Sequence, residues 1–276
     1  PGHKAEWIDK EQRTVGMDMS TLSFASADGA DVVCHVCDCA GQALYYFSHT
    51  LHFTRRCLYV LTWTAHKFSE SGAAEALELE AIVPPLKMWL QLLAANVPEA
   101  SVIVVGTHCR VQPQQFEAMR LEVGKQVREE MERLQLMAHA ESAATRQVLQ
   151  RQETKARALL AQVKAEAAAS QLQVAAPLFE FYDVKAIAQH VEGLRSVAKR
   201  GLMHKAELLL TTAEEWTQTK ARLCRLHAVY DGSVPDAAAP VACLKLVKEE
   251  SFAVDSIEGD GVAELLVAIE GTCRDK

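Results

Sequence analysis

Apolar residues along the first 110 positions arrive in short, nearly unbroken runs; beyond position 113 they recur singly, every third or fourth place. The runs CLYVLTW (57–63) and SVIVVGT (101–107) have strand length and suit parallel strands buried on both faces. Upstream, TLSFAS, ADGAD and VVCHVC (21–37) read as a β-hairpin turned at Asp28-Gly29. Between the two buried runs, Leu86, Trp89, Leu90 and Leu93 fall at helical spacing, with Pro84-Pro85 tolerable near a helix start. Strand, helix, strand is the βαβ unit of an α/β domain.

The segment 113–230 is dense in Ala, Glu, Gln, Arg and Leu, all strong helix formers. Phe116, Met119, Val123, Val127, Met131 and Leu134 trace one apolar stripe, continued more thinly by Leu149, Ala156, Leu160 and Val163. A stripe of this kind needs a covering helix, which 180–230 could supply within the chain. The turn-rich DGSVPDAAAP (231–240) reads as a linker. After it, ESFAVDS supplies a short strand and GVAELLVAIEGT a closing amphipathic helix. The expected fold is therefore α/β, formed by residues 13–111 and 241–276. A helical, partly coiled-coil insertion with its linker, 112–240, interrupts it.

Composition narrows the function classes. The 276 residues are 49% hydrophobic, enough for a sizeable core, and carry a net charge of −7. That charge argues against nucleic-acid binding, which needs clustered Lys and Arg. No apolar run reaches membrane-spanning length. The eight cysteines are too sparse for a disulfide scaffold and several sit in apolar runs, which favours a reducing, cytoplasmic setting. The chain opens at Pro1 on a polar stretch without a signal peptide, and reads as a fragment.

The stretch VVCHVCDCAGQ (32–42) invites two chemistries. Cys34, Cys37 and Cys39 have spacing that could seed zinc, but structural zinc takes four ligands and no second pair follows. Strand periodicity also sends Cys34 to one face and Cys37 and Cys39 to the other. The phosphate alternative fits better. A buried strand ending in Asp38-x-x-Gly41 places a carboxylate at the Mg²⁺ shell and an unobstructed backbone N–H at a γ-phosphate. Gln42, next in line, can orient an attacking water. Thr14 upstream can put its hydroxyl on Mg²⁺.

With order and company added, the chain resembles the Roc (Ras of complex proteins) domain of the Roco family. The marks are TVGMDM (14–19), DCAGQ (38–42), YYFSHTLHFTRRCLYVLTW (45–63), MWLQLLAANVPEASVIVVGTH (88–108) and VDSIEGDGVAELLVAI (254–269). The resemblance implies an incomplete Ras-like P-loop GTPase fold that binds GTP or GDP with Mg²⁺ and hydrolyses GTP slowly. It implies Thr14 and Asp38 as Mg²⁺ residues, Gly41 on the γ-phosphate and Gln42 as catalytic. Thr107 and His108 would flank the guanine ring, and Asp255, Ser256 and Ile257 would form the second base loop. His49 and His52 take packing or second-switch positions.

Two departures qualify the resemblance. No GxxxxGK[ST] occurs, and the 13 residues before Thr14 are too few for a first strand, phosphate loop and helix, which need about three dozen. Arg110 stands where a guanine-reading Asp is expected, and no Asp occurs between Cys109 and Asp183. A guanidinium only donates, so it cannot accept from the guanine N1 and N2 amines. The expectation is a switch domain of a larger signalling protein. Its alternative is a nucleotide-free pseudo-GTPase scaffold that binds a protein partner, or a second copy, through its helical insertion.

Overall fold

In the computed structural model, the described residues are 17–25, 31–40, 48, 50–55, 57–69, 73–170, 183–196, 198–231, 233–255 and 258–274. They divide into two compact units: residues 1–136 with 243–276, and residues 137–242.

The first unit is mixed α/β and is built on a parallel sheet. Strands β3 (Leu58–Thr64) and β6 (Ser101–Thr107) pair in parallel along their whole length, Leu58 against Ser101 through Thr64 against Thr107. The far edge of β6 is taken by two short strands in succession. β7 (Lys245–Leu246) pairs with Ser101–Val102, and β8 (Phe252–Val254) with Val105–Thr107. Every residue of β6 except Thr107 is buried, as an unalternated apolar run requires.

Helices cover both faces. Helix α1 (Leu79–Asn96) joins β3 to β6 and buries Ile82, Leu86, Leu90 and Leu93. It shares one core with Trp63, Val102 and Val104 of the sheet. The opening turns of α2 (Pro113–Ala169) enter the same core through Phe116, Val123 and Val127. On the other face, Ile103, Val105, Phe252 and Val254 pack with Val262, Leu265, Ala268 and Ile269 of α5 (Val262–Arg274). Gly106 is required where the first core is tightest. A Cβ there would lie 2.6 Å from the Trp63 ring and 2.7 Å from the Phe116 ring. Those two rings stack at 5.2 Å with 8° between their planes.

Two further ladders were not all legible in the pattern. Strands β1 (Met17–Ala25) and β2 (Asp31–Cys39) form the expected antiparallel hairpin, in register from Met17 against Cys39 to Ala25 against Asp31. The Asp28-Gly29 turn lies outside the described residues. Strands β4 (His66–Phe68) and β5 (Ala74–Ala76) form a small antiparallel pair after β3. Among the described residues, β3 has a strand neighbour only on its β6 side, and the β1–β2 ladder is a separate sheet.

The second unit is helical. The later part of α2 packs Leu149, Ala156, Leu160 and Val163 against α3 (Val184–Leu194) and α4 (Arg200–Leu226). Ile187, Val191, Leu202, Leu209 and Trp216 close this core, so the thin stripe is covered from within the chain. Asp183 caps α3 by accepting from the Ala186 N–H at 2.9 Å. The 231–240 segment is pinned to the helices. Arg146 donates to the Pro235 and Asp236 carbonyls at 2.9 Å each. Buried His227 lies between the Ser142 hydroxyl, 2.7 Å from Nε2, and the Pro240 carbonyl, 2.9 Å from Nδ1. No described helix is long and apolar enough to cross a membrane.

A buried carboxylate joins α1 to α2. Glu130, 5% exposed, accepts from Gln91 Nε2 at 2.9 Å and from Arg133 Nε at 2.9 Å. The Arg133 hydrogen bond, aided by Gln91 against the opposing effect of burial, holds the Glu130 carboxyl below the usual carboxylate range. A depressed folded-state pKa contributes stability above the unfolded value, and that stability is lost as pH falls through the lower folded value. Glu130→Gln is therefore expected to destabilise by about 1–2 kcal/mol at neutral pH. In urea unfolding, the gap from wild type should narrow as pH is lowered from about 5 to about 3.

Candidate functional site

Ligands of open parallel sheets bind beyond the carboxyl ends of the strands. Here the ends of β6 and β8 lie side by side, with Thr107 registered against Val254. Thr107 donates its hydroxyl to the Trp63 carbonyl at 3.2 Å, tying the end of β6 to β3. The same oxygen lies 3.2 Å from His108 Nδ1. Since its one proton is committed to Trp63, the hydroxyl accepts there and Nδ1 carries the imidazole proton. His108 has φ 61°, a left-handed turn that swings the chain off the strand. Its ring then rests against Phe68, with centroids 5.0 Å apart.

Past His108 the chain carries Arg110 to the loop after β8. Arg110 Nε donates to Asp260 Oδ2, and its Nη1 lies 3.8 Å from Glu258 Oε2. The hydrogen bond to Asp260, reinforced by Glu258 and Asp255, raises the guanidinium pKa and keeps it charged. The receiving loop is organised by Asp255, whose backbone N–H donates to the Asp260 carbonyl at 3.0 Å. The Asp255 side chain, 7% exposed, accepts from the Glu258 N–H at 3.2 Å. Gly259 and Gly261 take φ of 82° and 71°, so the loop reverses tightly enough to present both acids. Burial, then the Asp255 and Asp260 carboxylates, push the Cys109 thiol up. One cation among three carboxylates leaves this edge negative, suited to a neutral hydrogen-bonding group rather than to phosphate.

Asp38 sits elsewhere, on β2. Its register partner is Asp18, and both are exposed on the same face of the ladder. Like charges directly opposite repel, and a hard divalent cation would relieve them. The opposite face carries the sulfurs of Met17, Met19, Cys37 and Cys39, separated from Cys34 as strand periodicity requires. The Cys39 thiol is pushed up to about 11, first by burial and then by adjoining Cys37. Among the described residues, no group of three or more His, Cys, Asp or Glu is arranged to hold a metal ion.

The structure thus brings Thr107, His108 and Asp255 to one edge, and carries Asp38 on the hairpin. Thr14, Gly41, Gln42, Ser256 and Ile257 lie outside the described residues, as does His49. Sequence reasoning missed Asp260 and Glu258. The signal was present in Glu258-Gly259-Asp260-Gly261, two acids spaced by glycines opposite a lone Arg110, but nothing local linked residues 150 positions apart.

No family model matches the chain. Part of it is 28% identical over 78 residues to a probable serine/threonine-protein kinase, pats1, of Dictyostelium discoideum. A second likeness, 31% over 77 residues, is to the probable serine/threonine-protein kinase roco6 of the same organism. Part of the chain is thus similar to part of Roco-family kinases. Each match takes in 28% of this chain but 2% and 3% of the respective relatives, so the chain spans a small fraction of their length.

Proposed function

We propose that the Roco-related region is a GTP-binding switch whose phosphate cradle lies outside this sequence. The observation that carries the reading is the joining of the loops after β6 and β8, Thr107–Arg110 and Asp255–Gly261, at the carboxyl edge of one parallel sheet. The edge of β3 away from β6 has no strand neighbour among the described residues, which leaves room for a further parallel strand.

In this reading Thr107 and His108 flank a guanine ring, with Asp255, Ser256 and Ile257 forming the second base loop. With the Nδ1 proton of His108 given to Thr107, Nε2 of that tautomer is an acceptor. Asp38, opposite Asp18, and Thr14 would hold the Mg²⁺. Mg²⁺ supplies charge neutralisation at the β- and γ-phosphates. Gly41 offers its N–H to the γ-phosphate, and Gln42 orients the hydrolytic water. In a form of the protein that binds GTP, Gln42→Leu is expected to slow single-turnover GTP hydrolysis at least about tenfold with nucleotide affinity unchanged. An unaltered rate would remove Gln42 from the mechanism.

A second reading, a pseudo-GTPase scaffold, draws on Arg110. Its guanidinium faces Asp260 and Glu258, and, being a donor only, it cannot accept from guanine N1 and N2. In that reading the helical segment, rather than nucleotide, supplies the interaction. Sedimentation of the full chain distinguishes the two: a monomer at all concentrations leaves the scaffold without a self-association role.

A further inference from the structure

The cysteines of β2 remain unexplained by the nucleotide reading. Core filling does not account for them, since Cys37 and Cys39 are exposed. Met19, directly opposite Cys37, is 67% exposed. Met17 is directly opposite Cys39. Directly paired residues of an antiparallel ladder share a face with Cβ atoms about 4.5–5.5 Å apart, so two thiols and two thioethers form one compact sulfur patch. Cys39 Sγ lies 3.9 Å from the Cys37 carbonyl oxygen. His35, next along that face, is engaged with the Thr21 hydroxyl at 3.2 Å. The carboxylates Asp18 and Asp38 belong to the other face.

We propose that this face of the β1–β2 ladder is a copper(I) site, with Cys37 and Cys39 as thiolate ligands and the Met19 and Met17 thioethers completing the shell. Soft sulfur donors select copper(I) over hard and borderline cations, and a d¹⁰ monovalent ion is satisfied by two or three of them. Zinc would demand a fourth strong ligand, which this face does not offer. Binding involves no electron transfer. Copper(I) replaces the two thiol protons, which pass to solvent, and leaves a bis-thiolate complex of net charge −1.

The test is anaerobic titration of the full chain with copper(I) in competition with the chromophoric chelator bicinchoninate. Wild type should withdraw one equivalent. Cys37→Ser with Cys39→Ser should weaken binding at least about a hundredfold, and Met17→Leu with Met19→Leu about tenfold. Cys273→Ser, on α5, should change nothing. Circular dichroism should show the same fold for all, because the substituted thiols are exposed. Copper K-edge absorption should give a shell of sulfur alone. Equal copper retention by the double-serine variant, or nitrogen and oxygen scatterers at the metal, would overturn the assignment. Unchanged affinity in the double-leucine variant would remove the thioethers from it.

Discussion

Phe116→Ala is expected to destabilise the α/β unit by about 3–5 kcal/mol, the range for emptying a buried aromatic site. Phe116 is 2% exposed, stacks on Trp63 and seats the first turns of α2 on the sheet. Gly106→Ala acts on the same place with the opposite steric sign. Its new methyl would meet the Trp63 and Phe116 rings under 3 Å, inside any tolerable contact. Overpacking of this kind costs about 1–3 kcal/mol by itself. Both rings are held, Trp63 by burial at 6% exposure and Phe116 by the helix that carries it, so neither can swing aside freely. The two substitutions must therefore be non-additive. In the Phe116→Ala background the methyl of Ala at 106 partly fills the vacated volume, and its cost should fall well below the single-variant value. Urea unfolding of the four members of the cycle measures this. Simple additivity would show that Gly106 is not there to admit the stacked rings.

Gly261→Ala should be comparably severe, by a backbone route. Gly261 has φ 71°, and a Cβ would lie 1.9 Å from the Ala253 carbonyl oxygen in β8. Relief requires either the loop or the strand to move, and both carry candidate base-loop residues. A strained left-handed residue plus this clash predicts a loss of at least about 2 kcal/mol. It also predicts that Asp260 withdraws from Arg110. Gly259→Ala is the control. Gly259 shares the positive φ but meets nothing within 4 Å, so its effect should be the smaller of the two. Thermal unfolding ranks the pair, and an equal effect would mean that conformation alone, without the Ala253 contact, sets the cost.

These sites show which parts of the molecule the sequence discloses. The runs at 58–64 and 101–107 have strand length and content, and the structure pairs them in parallel, but only 101–107 is buried nearly throughout; β3 leaves Val60 and Thr62 exposed, contrary to the expectation of burial on both faces. The stripe from Phe116 to Leu134 was equally plain, since a 3.6-residue period survives any context. What the pattern did not show depends on distance. A three-residue ladder at 66–68 and 74–76 and a two-residue strand at 245–246 are too short to produce a period, and owe their form to neighbours. The pairing of Arg110 with Asp260 joins two charges that look like ordinary surface polarity until the sheet brings their loops together. Asp18 and Asp38 were separable on sequence, but their opposition follows only from the register of the hairpin.

The cysteine-rich stretch gains most from that register. Its period puts Asp18 and Asp38 on one face, with Cys34, and Met17, Met19, Cys37 and Cys39 on the other. A switch and a thiol site can therefore share one strand without sharing a ligand.

The central claim is that the chain carries the switch and base-loop half of a nucleotide site and lacks the cradle for the phosphates. Titration of the 276-residue chain with a fluorescent GTP analogue and Mg²⁺ tests it most directly. The account predicts no saturable binding. Micromolar or tighter Mg²⁺-dependent binding would contradict it.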